Sequence, residues 1–141
     1  MNNLRFATII HIVVLASKNK EEFDRFGKVI SSDFIATSIN VNPVVVRREI
    51  QFLKEIGILD AKKGKDGGCF LIKEPSEIYF GDLFFLLTKD QNSIGKLNEP
   101  NIDCEIGKLM NTELNDVFNT LNHTIINKLN EINLEEFSSR F

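Results

Sequence analysis

The sequence has no Trp, two Cys, two His and three Pro, and these shortages exclude whole classes of protein. Two cysteines without a CxxC pair or a Cys/His cluster leave a disulfide scaffold, or an all-cysteine zinc or iron-sulphur site, short of ligands within one chain. A reducing cytoplasm is the simplest setting. The two His, His11 and His123, stand far apart, and there is no Ser nucleophile elbow, no HExxH and no usefully spaced carboxylate pair, so an enzyme is not expected. No metal site is expected either. A membrane partner is not expected, because no apolar run approaches the roughly 20 residues needed to cross a bilayer. Arg5 with Phe6 to Ala16 (FATIIHIVVLA) has the outline of a signal peptide, but a His inside the apolar core and the poor small-residue cleavage pattern argue against one. The stretch reads instead as a buried helix over residues 3 to 17, with His11 a satisfied core or interface residue.

What is present is an ordinary globular composition: 141 residues, 43% hydrophobic and 26% charged, with twelve Phe to supply bulky core. That length suits one compact unit. The net charge of -3 hides an uneven distribution. Residues 1 to 73 hold 12 Lys and Arg against 8 Asp and Glu, while residues 74 to 141 hold 5 against 12. A basic half favours a polyanionic partner, and the acidic remainder limits indiscriminate sticking.

Polar residues 18 to 30 (KNKEEFDRFGKVI) read as a connection or a loosely held segment. Ser31, Ser32 and Asp33 then offer an N-cap for a short helix through Ile39, anchored by Phe34, Ile35 and Ile39. The chain turns at Asn40 and Val41. Asn42 followed by Pro43 is a clear helix start, and Gly57 a clear stop, predicting a helix from Pro43 to Ile56. On it Val46, Ile50 and Leu53 recur at spacings of four and three and define the core face. Val44, Arg47, Arg48 and Gln51 share the opposite face. Two short helices joined by a tight turn, with Ala36 small enough for a close crossing, make a helix-turn-helix. Arg can bond guanine bidentately, Gln can pair with adenine and Val can contact a thymine methyl, so the outer face suits a major groove. Taken alone, it is equally a solvated charged face.

The following residues shift the balance. Ile58 to Lys63 (ILDAKK) and Cys69 to Lys73 (CFLIK) read as strands of a hairpin with Gly64 to Gly68 at its tip. Lys62, Lys63 and Lys65 cluster at or beside that tip, where they can meet phosphates. The glycines do not signal a nucleotide loop, since GxxxxGK[ST] is absent and a strand follows them. Cys69 reads as a small packed residue.

Farther on, Ile78 to Leu87 (IYFGDLFFLL) is aromatic at helical spacing and reads as core and as a hinge. Leu114, Phe118, Leu121, Ile125, Leu129 and Ile132 form a continuous apolar stripe on a helix of about residues 107 to 131. The N-terminal domain can cover part of that stripe, but a two-fold partner helix accounts better for its length. Asn133 and Glu136 have capping-box spacing for a short last helix.

The initial apolar helix, Ser31-Ser32 with Ile35-Ala36, the run Val41 to Arg48, Leu53 with Gly57-Ile58-Leu59, Gly64 with Gly67-Gly68, and Pro75 with Glu77-Ile78 together resemble the Rrf-two winged-helix transcription regulators. The similarity covers nearly the whole chain. It implies a homodimeric bacterial regulator, a repressor, that binds double-stranded DNA at a roughly palindromic operator. Cluster-holding members of that family carry three closely spaced cysteines before the last long helix, whereas residues 89 to 103 here hold none and Cys104 stands alone. No cofactor is therefore expected. Cys104-Glu105-Ile106-Gly107 resembles the Cys-Pro-Ile-Gly segment of the cluster-free branch, which places one thiol beside the dimer helix. Cys104 is then either a redox sensor or a packed residue.

The expected fold is mainly α with a small β-hairpin wing: a winged helix-turn-helix DNA-binding domain over 1–80, then hinge, loop and dimerisation helices over 81–141. Asn42, Val44, Arg47, Arg48, Gln51, Lys62, Lys63 and Lys65 are the candidate DNA-binding residues, Cys104 the candidate sensor, and Leu114, Phe118, Leu121, Ile125, Leu129 and Ile132 the candidate dimer interface. A winged-helix adaptor that binds protein rather than DNA is the alternative.

Overall fold

The structure, a computed structural model, describes residues 4–89 and 94–141. Seven helices and one hairpin follow in chain order among the described residues. Helix α1 (Arg5–Lys18) is the central post, burying Ile9, Ile12, Val13, Val14 and Ala16. Its apolar run is too short for a membrane and too uniformly apolar for a surface helix, so it fills the middle of the core. Among the described residues no helix is long and apolar enough to cross a membrane.

The segment expected to be a loose connection contains a helix, α2 (Lys20–Phe26). Its sequence holds it locally through the i,i+4 pairs Lys20–Asp24 at 2.7 Å and Arg25–Glu21 at 2.9 Å. The tertiary contribution is Phe23, whose ring stacks on Phe70 with centroids 4.1 Å apart. Seven residues with no buried position give no apolar periodicity to read, which is why the sequence alone missed it.

Helices α3 (Ser32–Ile39) and α4 (Pro43–Glu55) form the helix-turn-helix. Ser31 Oγ accepts from Phe34 N at 3.1 Å and Asn42 Oδ1 from Val44 N at 2.9 Å, so both expected caps are made. Asn40 takes the left-handed turn conformation at φ 63°. Phe34 does not anchor α3: it is 58% exposed, while Ile35 is buried. Helix α4 ends in a Schellman motif, with Ile58 N donating to Leu53 O and Gly57 N to Lys54 O. Gly57, at φ 80°, supplies the left-handed residue that this motif needs.

Strands β1 (Leu59–Lys62) and β2 (Gly68–Leu71) pair antiparallel, Leu59 opposite Leu71 and Lys62 opposite Gly68. Leu59, Cys69 and Leu71 point into the core. Ile30 adds a bridge to Cys69, exchanging both backbone hydrogen bonds at 3.1 and 2.8 Å. A short 3-10 turn (Pro75–Glu77) leads into α5 (Phe80–Thr88), whose Phe80 and Phe84 receive Phe6 edge-on.

Helix α6 (Glu105–Leu129) is 25 residues long and buries none of them. At its C-terminal end it crosses α5 closely: a Cβ on Gly81 would strike the Ile126 carbonyl and the Asn130 amide. Asn130 Oδ1 also accepts from Asp82 N at 3.0 Å. Helix α7 (Leu134–Ser138), capped by Asn133 on Glu136 N at 2.8 Å, then returns to the head. There Leu134 is fully buried and Phe137 meets the Phe80 ring. Beyond Phe80, therefore, the last residues of the chain complete the core of the head while most of α6 leaves it.

Candidate nucleic-acid interface

Helix α4 has two faces of opposite chemistry. Val46, Ile50 and Leu53 are buried, as their spacing requires, whereas Val44, Arg47, Arg48 and Gln51 are exposed together on the other side. Arg47 makes no side-chain hydrogen bond or ion pair among the described residues, and Gln51 donates to its own helix neighbour Glu55 at 3.2 Å. Asn42 lies at the start of this face, its Oδ1 committed to capping the helix. Such a face offers guanidinium and amide donors, groups that base edges can accept.

Beside it stands the wing. Lys63 and Lys65 are exposed at its tip. Lys62 is less free than its place in the sequence suggests: its Nζ donates to the Gly27 carbonyl at 3.2 Å and sits 5.8 Å from the Phe23 ring centroid. Helix α2 thus props the wing through both Phe23 and Lys62. The propped hairpin holds the backbone that carries Lys63 and Lys65 in place beside α4, which lowers the ordering cost of any phosphate contact.

One functional feature escaped the sequence reading. Glu49, on the core side of α4, has 0% relative exposure and is the one acidic residue buried among the described residues. Arg5 answers it from α1, Nε donating to Oε2 at 2.9 Å and to Oε1 at 3.2 Å, and Nη2 to Oε1 at 3.0 Å. The same guanidinium lies 5.4 Å from the Phe52 ring centroid. Spacing held the signal: Glu49 falls three residues after Val46 and four before Leu53, and therefore on the apolar face.

The remaining candidates separate clearly. His11 Nε2 is 3.0 Å from Ser38 Oγ, joining α1 to α3 as an interface histidine. Cys69 is packed in the wing, and burial pushes its thiol up to about 11. Cys104 is exposed, its Sγ accepting from Gly107 N at 3.4 Å as the N-cap of α6, so it is not a packed core thiol. Of the stripe, Leu114, Phe118 and Ile125 are half-exposed and Leu121 is 43% exposed, while Leu129 and Ile132 pack against the chain's own core. Of residues 89 to 103, which hold no cysteine, Lys89 and those from Ile94 onward are described, and residues 90–93 lie outside the described residues.

Residues 5–140 match the profile of the Rrf2 (Rrf-two) family, described as "Iron-dependent Transcriptional regulator". YwnA of Bacillus subtilis (strain 168), assigned as an HTH-type transcriptional regulator, is 32% identical over 136 residues, 96% of each chain. Among solved structures, a protein from Lactobacillus plantarum assigned as a transcriptional regulator superposes with a TM-score of 0.77 at 20% identity, covering 96% of this chain and 88% of that one. CymR of B. subtilis, the global cysteine regulator, superposes at 0.69 and 19% identity, covering 100% and 98%. These two likenesses bear on the fold, which they share. With a family match along almost its whole length and an exposed arginine face beside a lysine-tipped wing, the chain belongs to the Rrf2 family of transcriptional regulators, DNA-binding proteins rather than enzymes.

Proposed function

We propose that the protein is a cytoplasmic homodimeric repressor that reads a roughly palindromic operator. Val44, Arg47, Arg48 and Gln51 meet base edges in the major groove, while Asn42, Lys62, Lys63 and Lys65 meet the backbone. The observation that carries this reading is the two-sidedness of α4: Val46, Ile50 and Leu53 are buried in the core, while Val44, Arg47, Arg48 and Gln51 stand exposed together on the other face. A second copy is favoured by α6, about 37 Å long at 1.5 Å per residue, whose Ile106, Leu109, Met110, Val117 and Leu121 are all exposed. Pairing two such helices sets two reading heads for half-sites one duplex turn, about 34 to 36 Å, apart.

The family description carries iron, and the donor set here does not fit an iron-sulphur cluster. Cys104 is exposed at the start of α6, Cys69 is buried in the wing, and no group of three or more His, Cys, Asp or Glu is gathered among the described residues. We infer regulation without a cluster, in which the accessible Cys104 thiol is the redox-responsive group.

Selection of bound duplexes from a random pool, with and without oxidant, tests the whole reading. Arg47→Ala should lose about 1 to 3 kcal/mol of discrimination at its base pair. Lys65→Ala should weaken all duplexes alike and reduce the salt slope by about 1. Equal affinity of wild type and Arg47→Ala for the selected operator overturns the assignment, and an oxidant-insensitive selection removes the role of Cys104.

A further inference from the structure

The two adjacent arginines of α4 differ in one respect that the family resemblance does not assign. Arg47 is exposed and makes no side-chain hydrogen bond or ion pair among the described residues. Arg48, 61% exposed at its side chain, keeps its Nε 3.6 Å from Oε1 of Glu49, an ion pair rather than a hydrogen bond. That carboxylate is itself held from behind by three hydrogen bonds from Arg5, a residue 44 positions away on α1. The fully buried Glu49 carboxylate therefore lies between two guanidinium groups, the partly exposed Arg5 on α1 and the exposed Arg48 on the outer face of the reading helix.

We propose that Glu49 is a positioning residue for base reading: anchored by Arg5, its buried carboxylate orients the Arg48 guanidinium so that its two Nη groups face outward. The inference rests on the DNA-reading role of α4. A carboxylate in an apolar interior is costly and needs compensation, and an ion pair buried there contributes little net stability. Its distinct effect is orientation. Glu49 engages the Nε edge of Arg48 and leaves the end of the fork, the part that can reach guanine O6 and N7, unengaged. A side chain already held near its working rotamer loses less freedom on binding than one that must be fixed, so Arg48 gains discrimination that Arg47 must supply by its own ordering. Arg5 also lies over Phe52, one turn from Glu49, which fixes the rotation of α4 on α1 and hence the placement of the three groups.

The test compares wild type, Arg48→Ala, Glu49→Gln and the double variant Arg5→Met/Glu49→Leu in the full chain. Replacing a buried pair together by apolar residues keeps such cores folded, so the double variant reports even if Glu49→Gln unfolds. Each protein is titrated with the selected operator, with every single base-pair change in it, and with a random duplex, alongside thermal unfolding and salt dependence. Arg48→Ala identifies the base pair that Arg48 reads. The expected result is that Glu49→Gln and the double variant lose discrimination at that same base pair by about 10-fold. Discrimination at the other positions, the salt slope and the random-duplex affinity should hold. Unchanged discrimination at that base pair, or a uniform loss on all duplexes, overturns the proposal and leaves the pair a packing feature. A wild type with no sequence preference overturns the DNA-reading itself, and with it this inference, a result distinct from either of the others.

Discussion

Helices α4 and α6 carry apolar residues at the same spacing and meet opposite fates. On α4, Val46, Ile50 and Leu53 are separated by four and three residues, and all are buried. On α6, Leu114, Phe118 and Leu121 are separated by the same intervals, and none is buried. Periodicity identifies which face of a helix is apolar, but not what covers it. In the head the cover is local to the chain: α3, α1 and β1 pack against α4, and α7 and β2 pack against α1. Beyond α5 only the last turn of α6 and the residues after it find such cover, through Leu129 and Ile132. The apolar surface left exposed along one helix is the kind that marks a protein interface.

The strongest break to this comparison comes from the covered side. Leu53→Ala should cost about 2 to 5 kcal/mol by removing a fully buried side chain from a packed site, and urea unfolding should show the same loss at every protein concentration. A loss that depends on concentration would mean that the head, too, relies on a second copy.

On the uncovered side, Leu121→Glu should leave the unfolding of the head unchanged and shift the protein to monomer in sedimentation equilibrium. Operator affinity should fall about 100-fold, the lower end of what linking two binding modules confers. A variant that stays dimeric, or a head that unfolds, would erase the contrast between the two helices.

The two cysteines sharpen the same contrast on a smaller scale. A maleimide should label Cys104 in the native protein and Cys69 only after unfolding, as followed by mass spectrometry. Burial raises the Cys69 thiol from its ordinary 9.0 to about 11, so the folded chain keeps a proton that the unfolded chain releases. Stability should therefore decline as pH rises from about 9 to about 11, by at most roughly 3 kcal/mol, and Cys69→Ala should remove that part of the decline. Equal labelling of both thiols would show that the wing opens readily.

Much of the reading head was legible in the sequence because its signals are short-range. Ser31, Asn42 and Asn133 cap the helices they precede, Asn40 and Gly57 take left-handed conformations, and the outer face of α4 is the one its spacing predicts. What escaped was held by distant partners. Helix α2 depends on Phe23 meeting Phe70, and Lys62 is tethered to Gly27, which no count of charges reveals. Phe34, expected inside, points out because the core places around α3 are already filled by Ile35 and Ala36.

The helix caps and turns and the apolar face of each long helix were determined by the chain alone, since each depends on residues within about four positions of one another. Tertiary structure alone decided that Glu49 would be buried and paired with Arg5, that α2 would brace the wing, and that the last turn of α6 would be covered while the rest was not. Those outcomes depend on which surfaces meet across the fold. A side chain's local pattern states what it can bury against, and only the packing of remote elements supplies the partner.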